Sequence, residues 1–234
     1  MNFPNKKVMS AAKVEFFDTL FQATALAVVA SLVFVALFPS LEPAFATAAT
    51  AADDVVVTLN VSAGISITSP ADATMSNTIG VSVNKAIATT TWNVKTNNAA
   101  GYTLALKSAT SSAPAMKQDL DNTKTITDNT LGAVAPALWS VGASTAEFGY
   151  SGYGSDISTG TYGTDSNCGA TSTPSTALKY TSLRTTDRTL ASRSSTTTPS
   201  GIDSVVCYAV EQGGSFYIPS GTYTATVTAT ATTQ

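Results

Sequence analysis

The chain has 234 residues, 12% of them charged, no histidine, and a formal net charge of -3. That balance excludes the basic footprint of a nucleic-acid binder. The lack of histidine removes every Ser–His or Cys–His nucleophile and the usual completing ligands of a zinc site.

Residues 1–46 read as an export signal. Lys6, Lys7 and Lys13 precede an apolar run at residues 23–38, Pro39 closes it, and Ala44, Phe45 and Ala46 form a small-x-small cleavage triplet. The alternative is an uncleaved N-terminal anchor, for which the run is shorter than the roughly 20 residues of a comfortable span. Cleavage leaves residues 47–234, read as a single exported domain.

From Val55 the pattern alternates strictly, with Val55, Val57, Leu59, Val61, Ala63, Ile65 and Ile67 on one face. This is the clearest strand signal in the chain, and Gly64 is the natural place for a bulge or a change of sheet. The strand is expected to complete its own sheet in the monomer, with a neighbouring copy's sheet as the alternative. Residues 79–83, "IGVSV", repeat the alternation.

Next, Trp92, Val94 and Thr96 form one alternating set and Tyr102, Leu104 and Leu106 another. The "NNAAG" between them predicts a hairpin, with Trp92 and Leu104 in the core. Residues 109–136 read as a long loop with at most one strand. Strands return at "ALWSV", which holds Trp139 and Val141, and at "AEFGYSGYG". A second long loop is expected over residues 152–204, with "ALKYTSL" as a strand candidate inside it and "SVVCYAV" following it.

The segment "SGTYTATVTATATTQ" places Thr222, Thr224, Thr226, Thr228 and Thr230 on one face and Tyr223, Ala225, Val227, Ala229 and Ala231 on the other. Its Ala-rich face predicts a central strand packed under Trp92 and Trp139. Together the short strands, spaced turns and missing helical periodicity predict an all-β fold, an antiparallel β-sandwich preceded by an N-terminal hydrophobic signal helix.

Cys168 and Cys207 are the two cysteines, and in an exported chain they are expected to form a disulfide closing a loop worth about 4 kcal/mol. Carboxylates at Asp53, Asp54, Asp119 and Asp121 stand in loop-like contexts that do not push acid and base pKa values apart, so no catalysis is expected. The segment from Asp119 to Thr130 begins like a calcium loop but lacks the central glycine and the bidentate glutamate. No metal or cofactor is expected. Tyr150, Tyr153 and Tyr162, set among glycines with Asp156 and Asp165, have two readings: a sugar-stacking surface or a loop folded on its own core.

Two Trp-x-aliphatic motifs, "TWNV" with Trp92 and Val94 and "LWSV" with Trp139 and Val141, join "GYTLAL" and "IPSGTYTATVTATAT". In this the chain resembles the WxL family of exported cell-surface domains, with Val in both motifs where that family has Leu. The resemblance implies a β-rich adhesion or binding module held non-covalently at the cell wall, with wall polymer or other surface proteins as partners. The "GTYTATVTAT" segment is also similar to the final strand of usher-assembled pilin and spore-coat-type domains. That second likeness implies self-association and a fibre subunit that exchanges its N-terminal strand.

Overall fold

The computed structural model describes residues 52–234; the expected signal at residues 1–46 lies outside the described residues. Every strand lies in the compact unit Leu59–Gln234, while residues 52–58 belong to the preceding unit, Met1–Thr58, and carry no strand.

The fold is the expected antiparallel β-sandwich. Its large sheet has seven strands, built on three long ones: β2 (Lys85–Thr96), β7 (Ala146–Tyr153) and β12 (Ile202–Gln212). Around them lie β1 (Ile65–Thr68), β4 (Met116–Gln118), β5 (Thr125–Asp128) and β13 (Tyr223–Thr224), in the order β1-β2-β12-β7-β5-β4-β13. The second sheet is β11 (Arg188–Arg193), β3 (Tyr102–Ser108) and β14 (Val227–Thr233), with β3 in the middle. All of these pairings are antiparallel except β5 with β7. The remaining short elements are β6 (Ala137–Leu138), β8 (Gly169–Ala170), β9 (Thr173–Pro174), β10 (Lys179–Tyr180) and the one-turn helix α1 (Thr159–Tyr162).

Alternation along β12 explains the layers. Val206, Tyr208 and Val210 face the space between the sheets, where they join Val94, Leu104, Leu106, Phe148 and Tyr150. Cys207 and Ala209 point the other way, into a second apolar cluster with Cys168, Leu178 and Tyr180. Both faces of this central strand are therefore dry, which is why "SVVCYAV" reads as a continuous apolar run. The outer cluster is roofed by the region after β7, pinned by the Cys168–Cys207 disulfide across a separation of 39 residues.

Several expectations change. Residues 55–64 form no strand, and only Ile65–Thr68 pair with β2. The cause is that β2 ends at Thr96, opposite Ile65, so earlier residues have no ladder to join. Residues 79–83 form no strand, the chain bending at residues 80–82. The expected "NNAAG" hairpin is a crossing between sheets, because β2 is already flanked by β1 and β12. Gly101 makes that crossing with φ 86° and would place a Cβ 1.9 Å from the Arg193 carbonyl oxygen, a conformation and a space open to glycine alone.

The loop expected over residues 109–136 holds two strands, β4 and β5, and that over residues 152–204 holds α1 and four short strands, including β11. The C-terminal strand is an edge strand of the small sheet, not a central one.

Candidate functional site

The sequence motifs do not converge. Trp92 is half-buried against the inter-sheet cluster and Val94 is fully buried within it. Trp139 packs on the outer cluster, its Nε1 donating to Glu211 Oε2 at 2.7 Å and its ring meeting Tyr180 edge-on at 5.1 Å. Val141 is half-buried and lies outside any strand. The two WxL-like motifs thus serve opposite faces of the large sheet.

Of the three tyrosines of the glycan-contact reading, Tyr150 and Tyr162 lie in the core and Tyr153 is half-buried. Tyr150 is 0% and Tyr162 1% exposed, both in the inter-sheet cluster. Tyr162 donates its hydroxyl to the Thr189 carbonyl at 2.8 Å, and Tyr153 is half-buried against the outer cluster. The rings of Tyr150 and Tyr162 are enclosed in the sandwich core, leaving no stacking platform on either.

What the structure leaves exposed is the segment with the cleanest alternation. Val55, Val56, Val57, Leu59 and Val61 are between 74% and 88% exposed. Scattered apolar residues on a surface are ordinary, whereas here five of seven consecutive positions are apolar and exposed. Asn97 holds the residues that lead into β1: its Oδ1 accepts from Gly64 N–H at 2.6 Å and its Nδ2 donates to the Ser62 carbonyl at 2.9 Å. Thr96 Oγ1 adds a bond to the Gly64 carbonyl at 2.7 Å. The side-chain amide of Asn97 substitutes for one more residue of β2, so the chain enters β1 already extended.

A cavity of about 650 Å³ opens between the sheets. Trp92, Met116, Phe148 and Tyr208 form one wall, residues 222–227 another, and residues 69–78 strap across it. Thr90 Oγ1 donates to the Tyr208 hydroxyl at 3.3 Å, and burial pushes the Tyr208 pKa up. The Trp92 Nε1 is buried without a hydrogen-bond partner. Sequence reasoning placed Trp92 in the core and missed the cavity, because the strap at residues 69–78 carries no periodic signal.

Among the described residues no group of three His, Cys, Asp or Glu side chains is placed to hold a metal, and no helix is long and apolar enough to cross a membrane. The acidic turn after β4 is internally occupied. Asp121 Oδ1 accepts from Thr123 N–H and Oγ1, which lowers its pKa, and Asp119 Oδ1 accepts from Thr224 Oγ1. No family model, no curated protein and no solved structure matches this chain.

Proposed function

We propose that this protein is an exported, non-catalytic structural subunit of a surface assembly, joined copy to copy through residues 55–61. The observation that carries this reading is the exposure of five alternating or adjacent apolar residues in that segment, which an isolated subunit has no reason to leave in water. An extended peptide with one apolar face is the form that adds to a sheet, where main-chain bonds give affinity and alternate side chains give selectivity.

The test is deletion of residues 53–62. The shortened chain keeps its melting temperature, because the removed side chains lie outside both clusters, and loses concentration-dependent association in sedimentation. Undiminished association of a folded deletion variant would defeat the reading.

A second reading, wall-polymer binding in the manner the WxL resemblance implies, is favoured by the Trp92-lined cavity, whose rim mixes aromatic rings with Thr74, Asn77, Thr222 and Thr224. Co-sedimentation with isolated cell walls that is lost on Trp92→Ala, in a chain that does not self-associate, would put this reading first.

A further inference from the structure

Three loops meet at the end of the large sheet where β2 begins and β12 ends: residues 79–84, 142–145 and 213–219. The buried side chain of Gln212 ties the first to the third, its Nε2 donating to the Gly80 carbonyl at 2.6 Å and its Oε1 accepting from Ile218 N–H at 3.0 Å. Gly213 brings in the second. Its N–H donates to the Thr145 carbonyl at 2.7 Å, in a space that the Gly142 and Ala143 carbonyls leave to a glycine. Further backbone bonds close the loops on themselves: the N–H groups of Gly80, Ser215 and Phe216 donate to the carbonyls of Val83, Ala143 and Gly213, between 2.8 and 3.1 Å.

The tip so formed is apolar and uncharged. Val81 is 82% and Tyr217 60% exposed, and Val83 and Phe216 are exposed as well. None of the residues in the three loops is Asp, Glu, Lys or Arg. The charges at the base are spent within the fold. Lys85 Nζ lies 3.1 Å from Glu211 Oε1, Glu211 Oε2 takes the Trp139 indole N–H, and buried Glu147 accepts three hydrogen bonds from Asn129 and Thr130. A protein partner is ordinarily met with a polar, hydrogen-bonding rim around the apolar centre, and an added strand with free backbone groups. Here neutral side chains stand on loops whose backbone groups bond one another, the condition for entering a medium that offers no water to satisfy them. Tyrosine, with an apolar ring and a polar hydroxyl, suits the headgroup level of such a medium.

We infer that this tip dips into the interfacial layer of a lipid bilayer, with Val81, Val83, Phe216 and Tyr217 as the inserted side chains. The contact needs no anionic lipid, because the tip holds no cation to attract one. It lies at the other end of β2 from Thr96, where Ile65 pairs, and none of its residues lines the inter-sheet cavity, so insertion leaves the cavity free.

The experiment attaches a polarity-sensitive nitrobenzoxadiazole dye to a cysteine introduced into the full-length chain. Ser82→Cys places it at the tip, and Thr198→Cys places it at the other end of β2, where Thr197 N–H bonds the Thr96 carbonyl. Each labelled chain is mixed with phosphatidylcholine vesicles, with and without brominated acyl chains. Whatever else holds the chain to a vesicle, each dye reports only its own surroundings. The dye at residue 82 should shift to the blue and be quenched by the brominated lipid, while the dye at residue 198 stays unchanged. Tyr217→Asp, made in the Ser82→Cys chain at an exposed site in a different loop, should abolish most of that quenching, because a carboxylate resists leaving water. Equal quenching at both positions, or none at residue 82, would overturn the proposal. So would insertion that requires anionic lipid. A dye at residue 82 that shifts with protein concentration in the absence of vesicles would assign the tip to a second copy and overturn it too. If Tyr217→Asp fails to fold, the contrast between the two dye positions decides the matter on its own.

Discussion

Val206 and Cys207 are neighbours in β12, both fully buried, and they belong to different cores. The first contributes to the inter-sheet cluster by area alone. The second holds the outer layer by a covalent bond, which acts mainly on the unfolded chain by shortening its accessible ensemble. Reducing the disulfide should therefore lower unfolding stability by about 4 kcal/mol, at most, with the inter-sheet core retained; denaturant midpoints with and without reductant measure it. The aromatic residues separate by the same logic. Phe148 is fully buried and stacks with Tyr208 at a centroid distance of 6.3 Å, so Phe148→Ala should cost about 3–5 kcal/mol. Trp92→Ala should cost visibly less, since one side of its ring already borders the cavity and its Nε1 has no hydrogen bond to lose. Equal losses in thermal melts of the two variants would mean that the cavity is closed in solution.

At the scale of elements, the decisive event is what happens where a strand runs out of partner. β2 and β3 are separated by five residues, yet they lie in different sheets because Gly101 turns the chain against the end of β11. Gly101→Ala should destabilise the domain by more than about 1 kcal/mol, because the left-handed backbone and the neighbouring Arg193 carbonyl both reject a Cβ. An unchanged urea midpoint would show that the crossing can be rebuilt cheaply. The glycines of β7 work differently. A Cβ at Gly149 would lie 2.9 Å from the Thr181 carbonyl oxygen and 3.1 Å from the Trp139 ring, so the strand is bare there to let the outer layer approach. Alternation predicted β2, β3, β7 and β14, and an apolar run predicted β12, because each of them keeps a partner along its length. It failed for residues 55–64, whose pattern is equally good, because a strand exists only where a second backbone takes up its hydrogen bonds.

For the molecule as a whole, the tyrosines set a pH limit. Burial is the leading cause that raises the pKa of Tyr102, Tyr150, Tyr162, Tyr180 and Tyr208 above the ordinary value; at Tyr102 the Asp156 carboxylate that accepts its hydroxyl at 2.8 Å adds to the effect. In the unfolded chain these groups lose protons near pH 10, while the folded chain retains them. Their contribution is therefore complete below about pH 10 and is lost as pH rises beyond it. Tyrosinate absorbance should climb together with the loss of β circular dichroism. Tyrosines that ionise near pH 10 in a chain still folded would refute this account.

The sequence by itself determined the class of fold, the pairing of its two cysteines, and the strands whose alternation meets a partner, since these depend on local periodicity and on chemistry that needs no geometry. It also singled out residues 55–61 and the Thr/Ala strand as unusual without saying what either does. Only the tertiary structure decided that Tyr150 and Tyr162 are core residues, that Trp92 and Trp139 serve opposite faces of one sheet, and that β14 is an edge. Those outcomes depend on which strands become neighbours, a long-range choice made by competition for ladder hydrogen bonds and apolar cover, and no window of residues contains its own competitors.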